Sequence, residues 1–302
     1  MKLYIADAFT ETSFGGNPAG VVLLEKDQGF PDDEIMRKTA AELRYSETAF
    51  IKVLSANEFN IRYFTPAAEV ELCGHATIAS FKCLLSAGLV KPGNTYINKT
   101  LAGTLKIEVK DDFIMMEMAS PKILGTIEDE SAIARLYEIM GIKYQPITAS
   151  SLRGGEIKLL PMLVSTGLPD IIMPLATRQQ LRDLNPDFPR LSELSAEYKV
   201  TGVHAFTLDA DENQGATAHC RNFAPLYDIN EEAATGTANG ALTYYLFESG
   251  LISDGTMSTF IQGEAMDRPS KVCSHIKTAS NDFVDIGVGG NSVILAVGEL
   301  FL

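Results

Sequence analysis

The chain has 302 residues, 46% of them hydrophobic and 21% charged, enough to bury one large core or, more in keeping with domain sizes, two of about 150 residues each. Its net charge of −14 argues against nucleic acid or an anionic membrane surface as a partner, and no apolar run approaches the roughly 18 residues of a spanning helix. The N-terminus reads as a strand without a signal-like apolar segment, and the four cysteines (Cys73, Cys83, Cys220, Cys273) lack CxxC spacing, so free thiols in a reducing, cytoplasmic setting are expected.

In chain order, Lys2–Ala8 alternates as a strand, residues 10–18 form a loop, and residues 19–24 form a second strand. Phe14-Gly15-Gly16-Asn17-Pro18 has the turn chemistry of backbone pressed close to something. Residues 31–43 predict a helix with acids in its first turn and Ile35, Met36, Ala40 and Leu43 on one stripe. Ser46–Ile51 then reads as a buried strand with Glu47 near its start, and a buried carboxylate has its ionised form disfavoured unless paired. Strands are expected at residues 95–97, 103–109 and 113–118, and a helix within residues 128–141. A linker is placed around Ala119-Ser120-Pro121, dividing the chain into an N-terminal half, residues 1–118, and a C-terminal half, residues 119–302. The second half reads as strands at 159–165 and 171–173, helices at 178–184 and 190–198, strands at 203–208 and 216–223, a helix, and four closing strands. The class is α+β, mostly antiparallel.

One stretch occurs twice. With Cys73 set on Thr235, Gly74 meets Gly236, Ala76 meets Ala238, Leu84 meets Leu246 and Gly88 meets Gly250. Upstream, Arg62, Phe64 and Pro66 meet Arg221, Phe223 and Pro225 once a short insertion is allowed. A repeat of this length implies two similar halves, each with a Gly-led helix, at residues 75–87 and 237–249. First-turn N–H groups lack intrahelical partners and carry the positive end of the dipole. The segments Gly74-His75-Ala76 and Gly236-Thr237-Ala238 could therefore hold a carboxylate between them without an arginine. His75, at the positive helix end, is expected to have a lowered pKa. Cys73 there would be lowered too, unless it is simply a small buried hydrophobe. The four histidines have no metal spacing, and neither metal nor cofactor is expected.

The chain resembles the PhzF-like (phenazine biosynthesis) family of the diaminopimelate epimerase fold. The resemblance is carried by Asp7-Ala8-Phe9, Gly16-Asn17-Pro18-Ala19, Ser46-Glu47-Thr48-Ala49-Phe50, Glu71-Leu72-Cys73-Gly74-His75-Ala76-Thr77, Ala234-Thr235-Gly236-Thr237-Ala238 and Gln262-Gly263. It implies two pseudo-symmetric barrel-like halves, each around a central helix, with the active site in the cleft between them and the C-terminal strand completing the first half. It also implies that Glu47 is the acid/base, assisted by His75 and by Glu232, where the phenazine enzyme has Asp. Asn17, Cys73, Gly74, Ala76, Thr235, Gly236, Thr237 and Ala238 would bind substrate. Racemases of the parent fold use two cysteines at the positions of Cys73 and Thr235, and a threonine hydroxyl is too weak a base for that chemistry.

Three functions remain open on this reading. The first is a cofactor-independent isomerase in which Glu47, its pKa raised by burial, moves a proton on a small carboxylic acid. The second is a Cys73-based epimerase or dehydratase of a hydroxy or amino acid. The third is a non-catalytic binding or scaffold protein of the same fold. A small carboxylic-acid substrate is the expected partner, and a homodimer is left open.

Overall fold

The computed structural model describes residues 1–210, 215–279 and 283–302. Its described helices are α1 (Asp33–Leu43), α2 (Gly74–Ser86), α3 (Glu130–Ile139), α4 (Arg178–Asp183), α5 (Phe188–Tyr198) and α6 (Gly236–Glu248), among many more strands. The chain forms two compact units, Met1–Glu117 with Gly289–Leu302, and Met118–Val288. No helix among the described residues is long and apolar enough to cross a membrane.

In the first unit the paired strands run Ser292–Glu299, Lys2–Ala8, Asn17–Leu23, Thr48–Val53, Glu58–Phe64, Asn94–Thr100, Gly103–Lys110 and Phe113–Glu117. Two of these pairings are parallel, Asn17–Leu23 with Thr48–Val53 and Glu58–Phe64 with Asn94–Thr100. Parallel neighbours need a crossover, and α1 and α2 supply them. The second unit runs Lys122–Thr126, Met162–Ser165, Pro169–Leu175, Gly202–Thr207, Ala218–Ala224, Met257–Gln262 and Ser270–Ala279. Its parallel pairs fall at the same places in the succession. There α4 and α5 make one crossover and α6 the other.

The repeated helices are the innermost elements of their own units. Helix α2 packs on Lys2–Ala8, Asn17–Leu23, Thr48–Val53, Phe113–Glu117 and Ser292–Glu299, and α6 on Met162–Ser165, Pro169–Leu175 and Ser270–Ala279. Both are apolar or small nearly all round, as a helix buried on every side must be. Small side chains let the strands come close: a Cβ at Gly240 would lie 2.9 Å from Thr166 Oγ1 and 3.2 Å from Val288 Cγ2. Both helices end alike. The N–H of Leu89 donates to Leu84 O and that of Gly88 to Leu85 O, and the N–H groups of Leu251 and Gly250 donate to Leu246 O and Phe247 O. Each is a Schellman close, with a glycine at φ +73 in one and +67 in the other.

The repeat also carries a pair of ions. Arg62 grips Glu69 through Nε and Nη2 and lies over Phe64, and Arg221 grips Glu231 in the same way over Phe223. Glu231 stands to Glu69 in the chain as Thr235 stands to Cys73, so the pair follows the register of the duplication.

Several expectations need correction. Helix α1 buries Met36 and Ala40 as predicted and half-buries Leu43, but Ile35 is 39% exposed and Thr39 turns inward instead. The strand expected from Ser46 begins at Thr48. Residues 122–126, read as unpatterned, pair with Met162–Ser165, and the Ile147–Ser150 and Glu156–Leu159 hairpin was not predicted.

Candidate active site

Three elements of the first unit converge at the start of α2. Asn17 opens its strand opposite Ala8. Glu47 sits one residue before Thr48–Val53, its carbonyl accepting from the N–H of Gly20. Cys73 is the N-cap residue in extended conformation, and His75 is the second residue of the helix. All four are buried, with Glu47 7% exposed and His75 3%.

The imidazole is contacted on both nitrogens. Glu47 Oε2 lies 3.2 Å from His75 Nε2, and Ser46 Oγ lies 3.4 Å from the same nitrogen. Asn17 Nδ2 stands 3.2 Å from Nδ1. Cys73 Sγ is 3.4 Å from Nδ1 and 3.7 Å from Nε2, a near-equal spacing that puts the sulfur over the ring face rather than along either lone pair. Glu47 Oε2 meets His75 Nε2 at ion-pair distance but off the ideal hydrogen-bond line.

That attraction reverses two expectations. Burial alone would push the Glu47 carboxyl up, but the hydrogen bond and charge of His75 outweigh it, and the carboxyl is held below its ordinary range. For His75, burial pulls the imidazolium down, and the charge and hydrogen bonds of Cys73 and Glu47 more than offset this, so its proton is held well above the ordinary value. The helix end, invoked to make His75 neutral, is overruled by Cys73 and by the Glu47 carboxylate, both at contact distance. Cys73 is pushed up to about 11, first by burial and then by the Glu47 charge. Near neutral pH it is a thiol, in keeping with a buried hydrophobe and not with an activated nucleophile.

Donor atoms of Glu47, Cys73 and His75 lie within 4.8 Å of one another, a carboxylate–thiol–imidazole set of the type zinc uses. Spacing along the chain gave no hint of it. With the sulfur over the ring face, the three donors do not point at one centre.

In the second unit, Glu232 Oε2 accepts from Thr235 Oγ1 at 2.8 Å. Gln262, fully buried, donates through Nε2 to Glu232 O and Thr235 Oγ1, while its Oε1 accepts from the N–H of Thr235 and from Asn239 Nδ2. Because the amide nitrogen can only donate, the one hydroxyl proton of Thr235 must go to Glu232. Gly236, Thr237 and Ala238 are buried in the first turn of α6, and Thr237 O accepts from Thr166 Oγ1. Neither Cys73 nor Thr235 caps its helix through its side chain, whereas Asp129, Thr177 and Asp187 cap α3, α4 and α5. Sequence reasoning missed Ser46, Asn239 and the role of Gln262. The duplication held a signal for one of them: in its register Asn239 falls on Thr77, and both side chains donate to the carbonyl of their N-cap residue. Cavities of 420 Å³ beside Glu128 and Tyr198, and of 200 Å³ beside Glu11 and Lys82, are lined by none of these residues.

The mostly β fold is shared with a solved epimerase. A hydroxyproline epimerase of Agrobacterium vitis superposes with a TM-score of 0.65 over 99% of this chain and 90% of its own, at 15% identity, a likeness of fold alone. A PhzF-family protein of Bacillus anthracis superposes with a TM-score of 0.85 over 100% of this chain and 99% of its own, at 24% identity. The PhzC-PhzF family pattern, described as phenazine biosynthesis-like protein, matches residues 6–298, and the chain belongs to that family. An "uncharacterized isomerase" of Clostridium acetobutylicum is 32% identical over 100% of this chain and 98% of its own length. Another, of Deinococcus radiodurans, is 33% identical over 95% and 90%.

Proposed function

We propose that the protein is a cofactor-independent isomerase that moves a proton on a small carboxylic acid, with Glu47 as the acid/base. The observation that carries this is the buried Glu47–His75 contact of 3.2 Å, in which Oε2 has no aligned partner and is available to a proton. Relatives of the chain named as isomerases support the class. Glu47, ionised, takes a proton from an acidified C–H; the electron pair moves into the adjoining conjugated system, and a proton from the Glu47 carboxyl, exchangeable with solvent, returns at another carbon, so the double bond shifts and nothing is consumed. His75 as imidazolium balances the charge that develops, and the first-turn amides at Gly74 and Ala76 hold the carboxylate. Asn17 lies against the imidazole at Nδ1, and with the ring as imidazolium it is the amide oxygen of Asn17 that must accept from Nδ1–H. Glu232 is the assisting acid, oriented by Thr235.

A thiol mechanism draws little support, because Cys73 stays protonated to about 11 and the hydroxyl of Thr235 is engaged by Glu232. Glu47→Gln should reduce exchange of a substrate C–H for solvent deuterium about 10²–10⁴-fold while ligand-induced thermal stabilisation persists. Cys73→Ala should cost far less. A dead Cys73→Ala beside an active Glu47→Gln would sink the proposal. Exchange should fall in acid only below the ordinary carboxyl range, as the depressed Glu47 protonates, and in alkali only well above 6.5, as the raised His75 loses its proton. The pair's contribution to stability follows the same signs, present between 4.5 and 6.5 and lost beyond the two folded-state values on either side.

A further inference from the structure

The loop that leads to Asn17 is built with more constraint than a hairpin needs. Phe9 and Phe14 both lie in the left-handed region, at φ 64 and 69, which disfavours any side chain with a Cβ. Phe9 is fully buried. Thr10 Oγ1 donates to Thr12 O and accepts from the N–H of Thr12, and the N–H of Thr10 donates to Asn291 O. A Cβ at Gly16 would collide with the carbonyl oxygen of Ala8. A fully buried carboxylate, that of Asp7, accepts from the N–H of Phe14 at 2.9 Å.

What this arch presents is a phenyl ring 73% exposed to solvent. Three residues later the chain reaches Asn17, whose side chain touches His75. Three residues span at most about 11 Å, so the backbone that carries the ring lies within that distance of Asn17. A strained φ and a buried carboxylate used to hold an aromatic ring in water bring no folding benefit, since the ring gains nothing from burial. We infer that Phe14 is a specificity-determining residue, a fixed apolar platform for the part of the substrate that lies beside its carboxylate, so that acids with an apolar body are preferred to short ones. This rests on Glu47 and His75 marking the reacting centre.

The chain contains no tryptophan, so Phe14→Trp introduces a single tryptophan at the platform. Phe301, 85% exposed, provides the control. The backbone beside it, at Leu300, bonds to Met1, at the far end of the strand from Asp7 and roughly 20 Å away. With benzoate as probe, the emission of Phe14→Trp should shift to the blue and saturate, that of Phe301→Trp should not move, and acetate should leave both unchanged. Phe14→Ala, which removes an exposed side chain and so spares the fold, should weaken benzoate binding about tenfold by thermal shift. Emission of Phe14→Trp unmoved by benzoate, or equal benzoate affinity in Phe14→Ala, would overturn the inference. The same shift measured in Phe14→Trp/Glu47→Gln keeps the two ideas apart: it tests the platform without turnover, while deuterium exchange tests the base.

Discussion

The two units place different chemistry on the same backbone plan. With Arg62 set on Arg221, Tyr63 meets Asn222, and their cross-strand partners are Ala49 and His204. One strand further, the parallel register sets Ala19 against Asp170. Beneath α2, Asn98 donates to the hydroxyl of Tyr63, which donates to Thr77, which donates to Cys73 O, a chain without an ionisable acid or imidazole. Beneath α6 lie Asp170, His204 and Asn222, all buried, with no aligned partner for Asp170 Oδ1, His204 Nε2 or Asn239 Oδ1. The helix starts differ: the Glu47–His75 pair sits at the first, while at the second a neutral glutamine clamps Thr235, whose hydroxyl donates to Glu232. Contact decides which groups stay charged. Glu47 and His75 are within ion-pair distance and each favours the charged form of the other. Asp170 is raised to about 7 by burial and by the nearby Glu232, and His204 is lowered to about 3 by burial. Low-dielectric surroundings neutralise an isolated group and preserve a paired one.

The largest test of this contrast is Asp170→Asn. A carboxyl with a raised folded-state pKa contributes fully below its ordinary value of 3.8 and costs stability as pH rises towards 7. The stability of the variant relative to the parent should therefore swing in its favour by on the order of 4 kcal/mol between pH 4 and pH 8. Denaturant melts at the two pH values read this directly, and a parallel pair of curves would show that Asp170 is ionised in the fold. Next in size is Gln262→Ala. Its amide satisfies four groups, and unsatisfied buried groups cost about 1–3 kcal/mol each before water returns, so a loss of about 3 kcal/mol is expected. Asn98→Ala, in the corresponding polar chain of the first unit, gives up one bond to Tyr63 and should cost about 1 kcal/mol. Equal losses would mean that the second helix start is no more tightly held than the first unit's polar chain.

What the sequence made legible follows the same division. The duplication, the two inner helices and the residues around Glu47 could be read because they rest on local signals: a Gly-led start, a glycine after the last turn, a carboxylate beside an apolar run. The protonation of His75 could not, because besides its chain neighbour Cys73 it depends on Glu47, which only the fold brings to 3.2 Å. Asp170 and His204 escaped notice for the same reason. Each stands alone in an apolar run, and only strand register puts them side by side with Asn222. Ile35 was misplaced because α1 covers a narrow core of Val22, Met36, Ala40, Phe50 and Phe64, and the neighbouring Thr39, bonded to Ile35 O, is the side chain that turns in.

A last test separates the two helix ends, which the repeat makes alike in backbone but not in surroundings. Gly88 and Gly250 share the left-handed conformation that an alanine resists by about 1 kcal/mol. Around Gly88 a Cβ would meet nothing within 4 Å. At Gly250 it would approach Ser151 Oγ at 2.5 Å and Arg153 at 3.1 Å. Those residues belong to a loop that closes the end of α6: Arg153 donates to Glu248 O and Phe247 O, and the N–H of Leu152 donates to Gly250 O. Gly88→Ala should thus lose about 1 kcal/mol and leave its surroundings in place, whereas Gly250→Ala should lose about 2–3 kcal/mol, because the strain comes with a clash that displaces the loop. Amide exchange offers a second reading, since protection at Leu152 should fall in Gly250→Ala while Leu89 in Gly88→Ala keeps its bond to Leu84. If both variants lose the same amount, residues 151–153 do not hold the end of α6, and the two closes are energetically as well as geometrically the same.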